Sequence, residues 1–229
     1  MGNSLTIKRM ASPSSWKMEK KKHTFVTKPH PGAHTYKLGT SLLVILREML
    51  KVARTAREAR YILQNKEVMI NGARRKEEKF LAGFMDTLSF VPLDEHYRIV
   101  MTTSGTLSPV KITADDAKKK PAKIIGKRLI KGKLQLNLSD GRNVFVEKDV
   151  YTCGDSLLIE VPSQKIVNHL KLEKKAAITL TAGTHMGKIG TVEDIMEDII
   201  LFKVNDNVFR TKKEFAFVLG AEQPMVMVR

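Results

Sequence analysis

The run Leu42-Leu-Val-Ile-Leu-Arg-Glu-Met-Leu-Lys-Val-Ala-Arg-Thr55, continued by Ala56-Arg-Glu-Ala-Arg-Tyr-Ile-Leu-Gln-Asn65 and Lys66-Glu-Val-Met-Ile-Asn-Gly72, decides how this chain folds. At roughly 100° per residue, Leu42, Ile45, Leu46, Met49, Leu50 and Ala53 share one helical face, with Arg47 and Lys51 opposite. One stripe packs and the other stays wet. Thr55 followed by Glu58 is a capping box, which satisfies the orphan amides at the start of a second helix. Along that helix Ala56, Ala59, Ile62 and Leu63 cluster on one side. Arg57, Arg60 and Gln64 fall within an arc of about 60° on the other, and Arg54 adds to it just before the cap. Val68 and Ile70 then alternate as a strand does, and Asn71-Gly72 is the strongest short hairpin signal. Arg74, Arg75 and Lys76 follow at once, so the hairpin returns a second set of cations towards the helix. Leucines buried together force the arginines outward, which is the geometry of a surface for phosphates.

The distribution of charge extends this reading to the whole chain. The net charge is +16, of which residues 1–40 contribute +7, residues 41–80 contribute +5 and residues 111–133 contribute +7, while the rest sums to −3. Residues 41–80 hold ten Lys/Arg against five Asp/Glu, too many cations for an ordinary self-neutralised surface. A field so segregated attracts polyanions, and nucleic acid is the commonest of these. An anionic membrane is disfavoured, because no strongly basic segment carries a continuous apolar helical face with aromatic anchors. With 229 residues and 42% hydrophobic content, one large or two to three small globular domains are expected.

Cys153 is the single cysteine, which excludes an intramolecular disulfide and a Cys-rich zinc site and suits a reducing, cytoplasmic setting. The start of the chain lacks the apolar core of a signal peptide, and Leu42 to Leu46 is far too short to span a bilayer, so neither export nor a membrane span is expected. Residues 1–40 combine Lys8-Arg9, Lys20-Lys21-Lys22, Trp16 and the Pro29, Pro31, Gly32 cluster with little hydrophobic periodicity. They read as an extended arm, disordered when alone in water and ordered along phosphates. Trp16 and Tyr36 either stack on a base or pack on the body. For Trp16 packing is the commoner fate.

From about Tyr97 the period becomes strand-like, which marks a domain boundary. Thr106 to Ile112 and Lys123 to Ile130 read as strands around a short helix capped at Thr113. Leu134, Leu136 and Leu138 then alternate with Gln135 and Asn137, Asp140-Gly141 turns the chain, and Val144 to Val146 returns it. Ser156 to Val161 and Lys165 to Leu170 add strands. Lys118, Lys119 and Lys120 are either a solvated turn or an RNA contact. The last section starts with the strand Ala177 to Thr181 and enters a loop with Gly183, Gly187 and Gly190, spaced for tight turns and close approach. It is not a nucleotide loop, which needs four residues between its glycines and Ser/Thr after the lysine; here there are three, and Ile189 follows Lys188. With strands at Ile199 to Val204 and Phe215 to Leu219, this section suits a small barrel.

Leu46-Arg47, Thr55-Ala-Arg-Glu-Ala-Arg60 and Val68-Met-Ile70-Asn71-Gly72 resemble the αL-type "S-four" RNA-binding domain, and Gly183 to Val192 resembles a KOW motif. Their order, with Lys8 to Trp16 in front and a β-rich segment between, is similar to the archaeal and eukaryotic-type small-subunit ribosomal protein family S-four-e. Pro31-Gly-Ala-His34, Gly83-Phe-Met-Asp86, Asp140-Gly-Arg142 and Gly154-Asp155 agree with it. The resemblance implies an α+β, multidomain chain: a basic N-terminal extension (1–40), an S-four-type RNA-binding domain (41–97), a central β-rich domain (98–175) and a C-terminal SH3-like KOW barrel (176–229). It implies a structural, non-enzymatic role in the cytoplasmic ribosome, in translation and subunit assembly, with small-subunit rRNA and neighbouring ribosomal proteins as partners. No cofactor, metal, membrane or small-molecule substrate is implied. The RNA-binding residues it suggests are Lys8, Arg9, Lys51, Arg54, Arg57, Arg60, Arg74, Arg75, Lys76 and Lys188.

Two rivals share these motifs. An RNA-modifying enzyme, either a pseudouridine synthase or a methyltransferase, would need a catalytic domain with an Asp loop or a Gly-rich cofactor turn, and the middle segment offers neither. Asp115-Asp116 sits in the first turn of a short helix, where acids meet the dipole favourably. His23, His30, His34, His96, His169 and His185 lack metal-ligand spacing. A transient KOW-type factor is disfavoured by the long basic arm, which makes more sense when permanently buried in RNA.

Overall fold

The computed structural model describes residues 6–205 and 207–227 and is mostly β-sheet with few helices. Of these residues, 6–101 with 105–117 form one compact unit, and 102–104 with 118 onward form the other.

In the first unit β1 (Thr6–Lys8) pairs antiparallel with β2 (Phe25–Thr27). β3 (Gly39–Ser41) runs directly into α1 (Leu42–Val44), which continues as a wider turn over Ile45–Met49. Leu42 to Leu46 are all buried, so this segment has no wet stripe in its first turn. Trp16 and Val26 pack on Val44, supported by Ile7, Met18 and Met49. The Leu50 amide reaches back five residues to the Ile45 carbonyl at 2.9 Å, and the chain leaves the turn through Lys51 at φ 57°. The single amphipathic helix expected over 42–53 is therefore shorter and wider, because five consecutive apolar residues bury on every side.

The second helix, α2 (Ala56–Asn65), is followed by β4 (Val68–Ile70), β5 (Ala73–Arg74) and β6 (Leu81–Gly83), the last pairing with β3. β7 (Thr87–Phe90), β8 (Glu95–Met101) and β9 (Leu107–Ile112) complete a sheet of order β5-β4-β7-β8-β9, and α3 (Ala114–Ala117) closes the unit. Asn71 at φ 51° and Gly72 at φ 72° make the two-residue turn between β4 and β5, both left-handed as a type I′ turn requires. The period change at Tyr97 lies inside this sheet: β8 pairs with β7 on one side and β9 on the other, and Ile99 and Leu107 are fully buried. The compact units divide after Ala117.

A buried polar junction ties three distant stretches together. Asp86 Oδ2 accepts from the Gly83 amide at 2.8 Å and lies 2.9 Å from His34 Nε2, while Oδ1 accepts from Asn71 Nδ2 at 2.8 Å. A Cβ on Gly83 would sit 2.5 Å from the His34 ring, so only glycine lets that ring in.

The second unit opens with β10 (Lys119–Ile130), a strand of 12 residues, followed by β11 (Lys133–Leu138), β12 (Asn143–Val146), β13 (Ser156–Glu160) and β14 (Ile166–Leu170). Their order is β12-β11-β10-β13-β14. The first half of β10 pairs with β13 and the second with β11, the register shifting between Ile124 and Gly126. Pro121, which has no N–H, lies in the half that β11 does not pair. Ala122, Ile124, Leu136, Leu138, Leu157 and Ile159 fill this sheet's core. β15 (Ala177–Leu180), β16 (Ile189–Ile195), β17 (Ile199–Val204), β18 (Asn207–Lys212) and β19 (Ala216–Gly220) form a second sheet of order β18-β17-β16-β15-β19. Its core includes Leu170 from β14 beside Ile178, Val192, Ile200 and Phe202. Gly190 permits a close crossing, since a Cβ there would meet the Lys203 carbonyl.

Candidate nucleic-acid interface

Helix α2 forms as the capping box dictates. Thr55 Oγ1 accepts from the Glu58 amide at 3.2 Å, and Glu58 Oε2 accepts from the Arg54 amide at 2.8 Å. The Arg54 amide is the main reason that the Glu58 carboxyl titrates below its ordinary range. Ala59 and Leu63 are buried, so the opposite face stands in water. Arg57 is exposed there, and Arg60 donates through Nε to Glu78 Oε2 at 2.7 Å. Arg74, at the start of the returning strand, donates to the Gln64 carbonyl at 3.2 Å. The Arg75 guanidinium lies 4.5 Å over the Phe80 ring. Arg74 of the hairpin thus reaches the end of α2 and Arg60 of the helix reaches the segment after the hairpin, with Arg57, Arg75 and Lys76 exposed. Lys51 and Arg54 are exposed on the connection that enters α2.

A residue that the sequence reading passed over is Tyr61, which is 63% exposed. It follows Arg57 by four residues, so it stands in the same stripe as Arg57 and Gln64. It is an aromatic ring exposed among arginines on a capped helix. The signal was there in the same periodicity that sorted the arginines.

The arm behaves differently from its composition. Lys8 is exposed, but Arg9 has 0% of its side chain accessible and pairs with Glu48 at 2.9 Å, with Nε donating to the Glu19 carbonyl at 2.6 Å. Arg9 is therefore removed from the candidate interface, because it is held inside the first unit by a carboxylate and a carbonyl. Lys20 is likewise engaged, donating to the Ser12 carbonyl at 2.6 Å. Trp16 packs, its indole N–H bonded to the carbonyls of Tyr36 and Gly39 at 2.9 Å. Residues 6–40 are thus a folded part of the first unit and not a free arm.

In the second unit Lys188 is half-buried, 5.0 Å from the Phe209 ring centroid and 3.2 Å from His185 Nδ1. It is not brought beside the α2 cations within one unit, since α2 belongs to the first. Lys120, one of the three lysines left open between turn and contact, is buried in a 2.8 Å pair with Asp140. Lys123 donates to the carbonyls of Lys213, Glu214 and Ala216 at 3.2, 2.7 and 2.7 Å, clamping the two sheets of this unit. Burial pushes its ammonium down to about 8, opposed by Glu214. In the first unit Arg98, donating to the Asp116 carbonyl, is pushed down to about 10 by burial. Asp155 gathers the amides of Thr152 and Leu172 at 3.0 and 2.9 Å and lies 2.8 Å from His169 Nε2. Among the described residues no group of three or more His, Cys, Asp or Glu side chains could hold a metal, and no helix is long and apolar enough to cross a membrane.

Such a β-rich chain, with one capped, arginine-faced helix and with carboxylate junctions joining distant loops, has close counterparts among known proteins. Residues 93–166 match the model of ribosomal family S4e, and residues 1–37 match the RS4NT (NUC023) domain. The small ribosomal subunit protein eS4 of Korarchaeum cryptofilum is 38% identical over 233 residues, covering 100% of this chain and 99% of that protein. The protein of the same name from Methanococcus maripaludis is 37% identical over 235 residues, with 96% of each covered. The crystal structure of the 30S ribosomal protein S4e from Thermoplasma acidophilum superposes with a TM-score of 0.71 at 32% identity, covering 80% of this chain and 96% of that one. The chain belongs to ribosomal family S4e. Two of the sequence stretches that suggested this family meet in space, as His34 and Asp86 of the buried junction.

Proposed function

We propose that this chain is a structural constituent of the small ribosomal subunit, holding ribosomal RNA against the exposed face of α2 and the hairpin that follows it. The S-four-type domain (41–97) carries the main grip, through Lys51, Arg54, Arg57, Arg60, Arg74, Arg75 and Lys76. The N-terminal segment (1–40) adds Lys8, the β-rich middle is 98–175, and the SH3-like KOW barrel (176–229) adds Lys188. The reading places the chain in the cytoplasmic ribosome beside other small-subunit proteins, without chemistry of its own. The observation that carries it is the hairpin's Arg74 bonded to the end of α2, whose Arg57 and Arg60 stand exposed. The family membership supports the ribosomal part of the reading.

Binding of this kind works by releasing counterions, so about six to ten phosphate contacts lose on the order of 10³ to 10⁵ in affinity between 50 and 200 mM salt. Phosphate contacts position the protein without reading sequence. Specificity then comes from the shape of folded RNA, and planar guanidinium groups suit it by gripping a phosphate through two hydrogen bonds. Arg57→Ala with Arg60→Ala should weaken binding to small-subunit rRNA in a filter assay and lower the log–log salt slope by about two. An unchanged slope removes this helix from the interface. Fractionation checks the ribosomal part: co-sedimentation with small subunits through high salt is expected, and release at moderate salt would mark a transient factor.

A further inference from the structure

We infer that the outer face of the strands β10, β11 and β12 is a stacking platform for unpaired RNA bases, with Phe145 at its centre. This rests on the reading of the chain as an RNA-binding protein and adds a surface that the arginine face of α2 does not include.

The register defines the platform. Arg128 lies opposite Gln135 and Gln135 opposite Phe145; one step along, Gly126 lies opposite Asn137 and Asn137 opposite Asn143. Partners across an antiparallel ladder share a face, so these residues form two adjacent rows. The neighbouring row, with Lys127, Leu136 and Val144, belongs to the opposite face, where Leu136 is fully buried. The rows of Phe145 and Asn137 therefore look outward, and Phe145 is 57% exposed. Ile125, at the register shift beside Gly126, is 64% exposed.

The chemistry around Phe145 suits a base better than another protein's apolar face. A base offers a ring to stack on and polar edges to bond, and its chain offers phosphates. Phe145 supplies the ring. Gln135 Nε2 donates to Asn137 Oδ1 at 2.8 Å, which fixes both amides and leaves Gln135 Oε1 and Asn137 Nδ2 to bond a ligand edge. Asn143 adds a third, exposed amide. Arg128 and Lys133 are exposed on the same face, and Lys131 stands in the adjoining turn. Glu147 lies two residues beyond Phe145, at the rim. A protein-docking patch would instead be depleted of lysine and of loose amides at its centre.

Gly126 gives a second, independent indication. A Cβ there would meet only Asn137 Nδ2, at 3.9 Å, so neither packing nor backbone conformation requires glycine. What its missing side chain does is keep the floor over Asn137 open. Base–aromatic stacking is sequence-tolerant because every base has a π-face, so the partner is an unpaired stretch of RNA and not a defined motif.

The test uses the full chain with two probes: a labelled single-stranded RNA of eight uridines, and an RNA duplex without unpaired bases. Phe145→Leu should weaken single-stranded binding about five- to 150-fold, the equivalent of one stacked base, while leaving duplex binding and the unfolding midpoint unchanged. Phe145→Tyr should restore it. Gly126→Gln, which covers the floor without touching the ring, should weaken it too. Equal single-stranded affinity for wild type and Phe145→Leu overturns the platform. Wild type that binds the duplex but not the single strand overturns the platform alone. Wild type that binds neither overturns the RNA-binding reading beneath it.

Discussion

The N-terminal segment and helix α2 carry similar densities of positive charge, yet they use it in opposite ways. In the segment Arg9 is sealed inside against Glu48 and the Glu19 carbonyl, and Lys20 is tied to the Ser12 carbonyl. On α2 the backbone caps itself through Thr55 and Glu58, the alanines and leucines face inward, and Arg57 is left in water. A helix with a complete local plan does not need its cations to hold its backbone in place. A segment without regular structure has to use some of its cations to hold itself down.

Disrupting an inward cation should therefore cost stability, and disrupting an outward one should cost only binding. The largest effect is expected for Arg9→Ala, which leaves Glu48 with Arg47 alone and empties a fully buried site. We expect a loss of about 3 kcal/mol in denaturant unfolding. A loss below about 1 kcal/mol would show that the segment is held mainly by Trp16. Lys123 extends the comparison to the second unit, because it too faces carbonyls. Lys123→Met should cost about 2 kcal/mol, since three carbonyls lose their donor. Its pH dependence is distinctive. In the unfolded chain the ammonium persists to its ordinary value of 10.5, whereas in the fold it titrates at about 8. Between these values the unfolded state binds more protons, so the stability of wild type relative to Lys123→Met should rise as pH goes from 8 towards 10. A flat difference would mean that the carbonyls hold the charged form. Thr55→Ala removes a cap and should cost about 1 kcal/mol. The double change at Arg57 and Arg60 is expected to leave the unfolding midpoint where it was, and a large fall would make those arginines structural like Arg9.

Features of the chain that depend on near neighbours were readable in the sequence. The Thr55–Glu58 box, the Asn71-Gly72 turn, the Asp140-Gly141 hairpin and the alternation of Leu134, Leu136 and Leu138 all involve residues a few positions apart, and each forms as expected. Features that depend on distant partners were not. Nothing near Arg9 announces Glu48, and nothing near Lys120 announces Asp140. Alternation in β8 shows a strand but not which sheet it joins. The first helix differs for another reason: its apolar run fits one helical face, yet Leu43 and Val44 bury as well, which periodicity alone does not show. Of the candidate interface, the exposure of Arg57 and Arg60 was legible because helical phase sorts them. Tyr61 was legible by the same phase, and the fate of Arg9 was not.

The length of β10 has a practical consequence for anyone altering this chain. Because one continuous strand serves as partner to β13 along its first half and β11 along its second, a residue added or deleted between Lys119 and Ile124 would put the pairing with β13 out of step with the β10–β11 hairpin, which its own turn keeps in register. The turn at Lys131-Gly132 is the reverse case: Gly132 at φ 77° resists a side chain, but the exposed Lys131 beside it can carry extra atoms into solvent. A dye or photoreactive group attached there would sit beside Lys133 while leaving the strand's alignment intact.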